Sequence, residues 1–297
     1  MRAPLLVALG AALWATDTLF RHPLVQQISP FTIVYFEHIF ATAISFIYLM
    51  CTRDRKQIWM APKEIFAVAF VGIFGSALAT VLFTMSFEFI NPSVAILLQK
   101  TQPVFVILLS FLLLGEKLGR WFFFWASIAC MAAYFVSFPT GFRFSDFYSG
   151  EAKGCFLALI AAGLWAISTT TGKLVLRKSP ASVVSFWRFF FGLVALYGLS
   201  RHFDVMQVEI PFVPGQPGVM KSLFVMALVP GFLGVSVYYS GLQKVSASAA
   251  SILELSFPVC ALAINAYFLH FHLTGTQYMA AGALILAMIG VSRNSRT

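Results

Sequence analysis

Long apolar stretches, each separated from the next by turn residues or charges, occupy this chain from one end to the other. A helix needs about 20 mostly apolar residues to cross the hydrocarbon layer of a bilayer. Stretches of roughly this length cover residues 4–20, 31–51, 64–87, 92–114, 120–138, 152–172, 181–200, 218–241, 247–269 and 274–292. The sequence therefore predicts an all-α membrane protein with ten transmembrane helices.

The composition excludes most soluble classes of protein. Of the 297 residues, 60% are hydrophobic and 10% are charged, whereas a soluble domain carries about 25% charged residues. The basic residues are scattered through short loops, so the net charge of +9 indicates membrane topology and not a nucleic-acid partner. Because the first apolar stretch begins close to Met1 and many others follow, we interpret it as a first span and not as a cleaved signal peptide.

The distribution of basic residues predicts the orientation of the chain. Basic residues prefer the cytoplasmic side of a membrane. With a cytoplasmic N-terminus, thirteen of the 20 Lys and Arg residues fall on the cytoplasmic side, and Lys100 and Arg188 fall within spans. The five on the opposite side are Arg21, Arg143, Lys153, Arg201 and Lys221. We therefore predict an integral protein of the cell (inner) membrane with both termini in the cytoplasm.

The two halves of the chain resemble each other. Leu13–Ala15 and Leu164–Ala166 both read Leu-Trp-Ala. Further matches in the same order are Ser29–Pro30 with Ser179–Pro180, Ser93 with Ser248, and Pro103–Val104 with Pro258–Val259. Five spans per half is an odd number, so the second half must enter the membrane with the opposite orientation. The sequence predicts two inverted five-helix repeats, residues 1–145 and 146–297, an architecture suited to alternating access.

Two five-helix repeats that each begin with a Leu-Trp-Ala helix resemble the EamA-type carriers of the drug/metabolite transporter superfamily. The fourth-helix pattern of that family ends in Leu-Gly-Glu, which here is Leu114–Glu116. In the second half, His270 and Phe271 replace the Gly-Glu pair. The resemblance implies a secondary transporter, and the amino-acid and metabolite exporters are the branch most similar in length and layout. The direction of transport is implied by this resemblance alone.

Two prolines lie in the middle of spans at matching positions of the two halves, Pro103 and Pro258. Proline removes a backbone donor and kinks a helix. Paired interruptions in the two halves of a carrier indicate a binding site near the membrane midplane. We predict that these prolines act as hinges beside the substrate, and a packing kink without substrate contact is the alternative.

Charged residues inside spans are costly and should face the interior of the bundle. Glu37, Lys100, Arg188 and Glu254 occupy such positions, and Asp17 lies near the end of a span. Two acids and two bases permit the pairs Glu37–Lys100 and Arg188–Glu254, which we state as a hypothesis. Each residue has two interpretations that remain open, an ion pair that holds helices together or a contact with substrate.

Polar and aromatic residues recur at helical spacing on several spans. The residues that we predict to line a substrate cavity are Trp14, Thr18, Tyr35, His38, Gln99, Lys100, Trp165, Thr169, Arg188, Tyr239 and Glu254. The alternative for the Ser and Thr residues is hydrogen bonding between packed helices. His38 also has two interpretations, because a histidine can couple transport to protons or serve as a hydrogen-bonded packing residue.

The leading hypothesis is a secondary transporter that exports amino acids or similar small metabolites by alternating access. Opposite charges beside aromatic rings suit a zwitterion, whereas two basic residues are too few for a phosphorylated solute. The alternatives are a carrier for another small solute, such as a drug or a sugar-type metabolite, an intramembrane enzyme, or a channel.

Enzyme activity and cofactors are not expected. The chain contains no HExxH, GxSxG or GxxxxGK[ST] motif. Its four cysteines (Cys51, Cys130, Cys155 and Cys260) are widely spaced, and therefore predict neither a disulfide framework nor a metal site. The partners that we expect are a small-molecule substrate and the lipid bilayer, and the sequence is compatible with a monomer.

Overall fold

The computed structural model describes residues 2–90, 92–137, 152–202, 218–268 and 274–294, and within them every regular element is a helix. The helices are α1 (Ala3–Val25), α2 (Pro30–Cys51), α3 (Pro62–Ser86), α4 (Pro92–Gln99 and Gln102–Leu114), α5 (Arg120–Ser137), α6 (Ala152–Leu176), α7 (Ala181–His202), α8 (Gly218–Leu242), α9 (Ala247–Leu253 and Ser256–Phe268) and α10 (Gly275–Asn294).

The described part of the chain has the helices of a membrane protein. Seven of them, α1, α2, α3, α6, α7, α8 and α10, are long and apolar enough to cross a bilayer, while α4, α5 and α9 contribute shorter apolar segments. Large apolar side chains such as Phe66, Phe111 and Met131 are exposed on the outer surface, as lipid-facing positions require. The prediction of an all-helical membrane protein is confirmed. Ten spans and two inverted repeats stay predictions, and the boundary at residues 145/146 lies outside the described residues.

Two predicted helix ends are wrong. α1 continues to Val25 and so includes Arg21, and α6 continues to Leu176 and so includes Lys173. The sequence placed both basic residues in loops because a charge commonly ends an apolar stretch. Arg21 is 3% exposed and Lys173 is 7% exposed. Both charges have buried hydrogen-bond partners, which offset the cost of removing them from water.

The interruptions predicted around the two matched prolines are present. α4 breaks at Lys100 and Thr101, directly before its second arm carries Pro103 near its start. α9 is interrupted by a turn at Glu254 and Leu255, shortly before Pro258. A proline cannot donate to the preceding turn, so each helix restarts there. Both interruptions place a charged residue at a point where the helix is not continuous.

α1 and α8 lie against each other through glycines. A Cβ atom on Gly10 would lie 2.8 Å from the backbone nitrogen of Tyr238 and 2.9 Å from the carbonyl oxygen of Gly234, and a Cβ on Gly234 would lie 2.8 Å from Trp14 Cδ1. Small residues permit this close approach of two membrane helices. The crossing matters for the site, because Trp14 and Tyr238 lie beside it.

We expect Gly10→Ala to separate α1 from α8 and to lower the free energy of unfolding by about 1–3 kcal/mol, since backbone atoms of α8 cannot rotate away from the added methyl group. Thermal unfolding of the purified protein in detergent measures the effect. The matched control is Gly163→Ala on α6, where no atom lies within 4 Å of the added Cβ. Equal melting temperatures for the two variants would contradict the close packing of α1 on α8.

One end of the bundle is joined by polar contacts between loops and helix ends. Gln243 Nε2 donates to the carbonyl oxygen of Ser179 at 2.9 Å, and Ser179 Oγ donates to Glu64 Oε2 at 3.2 Å. At the same end, Trp187 Nε1 donates to the carbonyl oxygen of Ile58 at 2.8 Å. We call this the proximal end, and the opposite end of the bundle the distal end.

Candidate substrate cavity

A cavity lies among α1, α2, α3, α4, α6, α7, α8 and α9, beside the interruptions of α4 and α9. It contains about 1240 Å³ of atom-free space, including the part that is open to solvent. Residues from both halves of the chain form its wall. A concave wall of aromatic rings with a small number of polar groups is typical of sites for small organic molecules.

Aromatic rings from both halves line this cavity. Trp14 and Tyr238 lie with their ring centroids 4.9 Å apart. Trp165 and Phe83 form a second pair at 5.2 Å, in an edge-to-face arrangement. Such rings offer flat apolar faces together with polar groups at their edges. The cavity can therefore stack a planar ligand or pack an apolar side chain.

The interruptions of α4 and α9 bring opposite charges to the cavity. Lys100 Nζ lies 4.0 Å from the centroid of the Phe257 ring and interacts electrostatically with Glu254. Glu254 accepts a hydrogen bond from the Tyr238 hydroxyl and another from Gln102 Nε2 at 3.1 Å. Because Lys100 and Glu254 belong to different halves, their attraction joins the halves across the cavity.

A second cluster of hydrogen-bonded polar residues extends from α2 through α3 to α7 and α8. Arg188 Nη1 donates to the Tyr239 hydroxyl at 2.8 Å, and Arg188 Nε donates to Ser76 Oγ at 3.2 Å. His38 Nε2 lies 3.1 Å from the same Ser76 Oγ, and His38 Nδ1 lies 2.8 Å from the carbonyl oxygen of Val34. Both ring nitrogens of His38 thus have partners, as expected of a buried polar side chain.

The third cluster of polar residues has Arg21 at its centre. Arg21 Nη2 donates to Asp17 Oδ1 at 2.8 Å and to Glu37 Oε2 at 2.8 Å, and Arg21 Nη1 donates to Thr84 Oγ1 at 3.0 Å. One guanidinium therefore neutralises part of the charge of two carboxylates, the buried Glu37 and the partly exposed Asp17. Arg21, Asp17 and Glu37 all contribute to the cavity wall.

The observed charge contacts match the hypothesised pairs only in part. Glu37 pairs with Arg21 and not with Lys100. Glu254 interacts electrostatically with both Lys100 and Arg188, while the side-chain hydrogen bonds found for Arg188 go to Ser76 and Tyr239. The hypothesis left Arg21 out because the sequence placed it in a loop. The Asp17 and Arg21 spacing of four residues was the available signal, since such residues share one helix face.

The structure brings most of the predicted cavity residues together. Those that line the cavity are Trp14, His38, Gln99, Lys100, Pro103, Trp165, Thr169, Arg188, Tyr239 and Glu254. Tyr35 lies elsewhere, with its ring centroid 6.4 Å from that of Phe31 and 6.0 Å from that of Phe36. Pro258 also lies outside the wall of the cavity. The side chain of Thr18 is outside the described part of the structure.

Several wall residues were missed by sequence reasoning. Gln102 and Tyr238 both donate to Glu254, and Phe257 lies under Lys100. Gln102 precedes one matched proline and Tyr238 precedes a predicted residue, so their positions carried a weak signal. Whether the neighbour of a predicted residue also faces the cavity depends on the rotation of the helix about its axis.

Comparison with known proteins agrees with this architecture. The model of the EamA-like transporter family matches residues 1–138 and 152–293. The chain belongs to the EamA-like transporter family. It is a membrane transporter of the drug/metabolite transporter superfamily, and the resemblance stated from the sequence is confirmed.

Two relatives and one solved structure extend the comparison. The riboflavin transporter ImpX of Fusobacterium nucleatum is 26% identical over 308 residues, which cover 99% of this chain and 98% of the relative. An uncharacterized transporter of Archaeoglobus fulgidus is 24% identical over 293 residues, covering 99% of both. A solved crystal structure has a TM-score of 0.77, 16% sequence identity and full coverage of both chains. The last likeness concerns the fold alone.

Proposed function

We propose that this EamA-like transporter is a secondary carrier that moves a small organic solute across the cell (inner) membrane by alternating access. The observation that carries this proposal is a cavity with walls from both halves of the chain, beside the interruptions of α4 and α9. The two family matches, residues 1–138 and 152–293, support a division into repeats 1–145 and 146–297. Five spans in each repeat then require an inverted topology with both termini on the same side, and the bias of basic residues favours the cytoplasm as that side.

A planar heteroaromatic solute of the riboflavin kind is the first substrate class that we propose. Trp14, Tyr238, Trp165 and Phe83 offer ring faces for stacking. Gln99 Oε1 is buried and has no hydrogen-bond partner among the described residues, so it can accept a hydrogen bond from a ring N–H or a hydroxyl group of the solute. The riboflavin transporter among the relatives supports this class.

Export of amino acids is the second candidate. Lys100 and Glu254 present opposite charges to one cavity, which suits the carboxylate and the ammonium group of a zwitterion. The aromatic wall would then favour amino acids with large apolar or aromatic side chains.

Reconstitution into liposomes distinguishes these functions. Purified protein is supplied with riboflavin, whose own fluorescence reports uptake, and in parallel with labelled amino acids, each with and without a proton gradient. We expect saturable uptake that is accelerated by unlabelled solute on the opposite side, the behaviour of a carrier. Flux without such exchange stimulation would indicate a channel. No saturable flux of riboflavin or of any amino acid would contradict both substrate classes.

Substitution of the aromatic wall provides a separate prediction. We expect Trp14→Ala and Trp165→Ala to raise the KM of the transported solute about tenfold or more, because each removes a stacking face from the site. The matched control is Trp59→Ala, since Trp59 is 84% exposed and lies in a loop. If both cavity variants keep the KM and the selectivity of the unmodified protein, the rings do not contact the solute.

A further inference from the structure

Glu116 stands where α4 ends at the proximal end of the bundle. Gly115 ends the helix in the left-handed conformation with φ of +64°, and its N–H donates to the carbonyl oxygen of Ser110. The N–H of Glu116 donates to the same oxygen at 3.2 Å. This closed turn determines the direction in which the Glu116 side chain leaves the helix.

The carboxylate of Glu116 binds the first turn of α9. Oε1 accepts from the N–H of Ala247 at 2.7 Å, and Oε2 accepts from the N–H of Ser248 at 3.1 Å and from Ser248 Oγ at 2.6 Å. A carboxylate is favoured at a helix N-terminus, and hydrogen bonds to an ionised acceptor are stronger than neutral ones. These three bonds join the first half of the chain to the second.

Other bonds between the halves lie at the same end. Glu64 accepts from Ser179 Oγ, and Asp54 accepts from Ser182 Oγ at 2.5 Å. Among these acidic residues, Glu116 is the one that binds backbone N–H groups of α9, the helix that carries Glu254 into the cavity. Movement of the start of α9 away from α4 therefore requires the Glu116 bonds to break.

The two halves of the sequence differ at the position of this carboxylate. The position of the second half that matches Glu116 is Phe271, which lies outside the described residues. A phenylalanine side chain has no carboxylate to accept hydrogen bonds. The sequence therefore supplies the carboxylate in one repeat and omits it in the other.

We propose that Glu116 is a gating residue that holds the proximal end of the carrier closed, and that the resting protein favours the state with this end closed. Opening at the proximal end breaks all three bonds to Ala247 and Ser248, and closing restores them. The inference rests on the proposed alternating-access function. It identifies the residue that determines the balance between the states with the proximal end open and closed.

Accessibility of the cavity from each face tests the proposal. The four native cysteines are replaced, Gln99→Cys provides a reporter in the cavity wall, and membrane vesicles of both orientations receive an impermeant maleimide. A tag on the N-terminus identifies the proximal face, because Ala3 lies at that end beside Gly241. We expect Glu116→Gln to accelerate labelling from the proximal face about tenfold and to slow labelling from the distal face, since weakening the bonds shifts the population.

Two further variants and one control sharpen the result. Ser248→Ala removes one of the three bonds, and Gly115→Ala strains the turn that directs Glu116, so both should shift labelling in the same direction by smaller factors. Lys117→Gln changes an exposed neighbour and should leave the labelling unchanged. Should Glu116→Gln fold poorly, the Ser248→Ala variant decides the question.

Two outcomes would overturn the proposal. One is labelling of Glu116→Gln at the unmodified rates from both faces. The other is equal acceleration from both faces, which indicates general loosening of the bundle. The experiment needs no transported solute, so it is independent of the substrate assignment. If Gln99→Cys is labelled from one face only, in the otherwise unmodified protein and in every variant, alternating access itself fails and not the role of Glu116 alone.

Discussion

Replacing Arg21 with glutamine is expected to lower the free energy of unfolding by about 3–5 kcal/mol, the cost of breaking a buried ion pair by removing one partner. The guanidinium donates to Asp17, Glu37 and Thr84 from a position that is 3% exposed. Glutamine retains some hydrogen-bonding capacity but no charge. Two carboxylates would then remain close together without a counter-charge.

Thermal unfolding in detergent, followed by size-exclusion chromatography, measures this loss. The double variant Arg21→Gln/Glu37→Gln removes one of the orphaned carboxylates, and we expect it to recover part of the lost stability. The matched control is Arg201→Gln, because Arg201 is an exposed arginine near the end of α7. An Arg21→Gln protein as stable as this control would show that the cluster of Asp17, Arg21 and Glu37 does not hold the helices together.

The second large effect that we expect is a loss of transport when Glu254 is substituted. Glu254→Gln should lower kcat/KM for the transported solute about tenfold to a hundredfold, because it removes the charge that faces Lys100 and weakens the bonds from Tyr238 and Gln102. The fold should persist, since glutamine has nearly the same shape. Transport by proteoliposomes, with the melting temperature measured on the same preparation, separates the two effects.

The double variant Lys100→Gln/Glu254→Gln distinguishes the two substrate classes. If the solute is neutral, like riboflavin, the charges of Lys100 and Glu254 only neutralise each other. Their joint removal should then restore much of the transport that either single change loses. If the solute is a zwitterion, both charges bind it, and the double variant should be at least as inactive as the worse single variant. An exposed carboxylate, Glu88, provides the matched control Glu88→Gln. Full activity in both single variants would contradict a role for either charge.

Helix positions and the general location of the site could be predicted from the sequence. Long apolar stretches indicate membrane helices because the bilayer requires backbone groups to be satisfied internally. Matched features of the two halves led to Pro103, Trp14 and Trp165, and the rarity of intramembrane charge led to Lys100 and Glu254. All five line the cavity. These predictions rest on properties that each residue has by itself, its hydropathy, its charge or its effect on the backbone.

Side-chain partners could not be predicted in the same way. Glu37 pairs with Arg21, although the sequence suggested Lys100, and Tyr35 packs on Phe31 although its spacing resembled that of cavity residues. A helix face is known from spacing, but the neighbour that this face meets depends on the rotation and tilt of the helix in the bundle. A charged residue at the edge of an apolar stretch can lie in a loop or be buried in an ion pair. Which of the two occurs depends on whether a partner is present in the bundle.

The amino-acid sequence by itself determined that this protein is a helical membrane protein, that its halves resemble each other, and that Glu37, Lys100, Arg188 and Glu254 are charges within apolar stretches, because these follow from composition, periodicity and matched motifs. Only the tertiary structure decided that Arg21 is buried between two carboxylates, that Gln102 and Tyr238 donate to Glu254, and that Glu116 binds the start of α9. Apart from the Arg21–Asp17 pair within α1, each of these contacts joins separate helices. Their geometry is established by packing across the bundle, since hydrogen bonds require distances and angles that spacing along one helix does not specify.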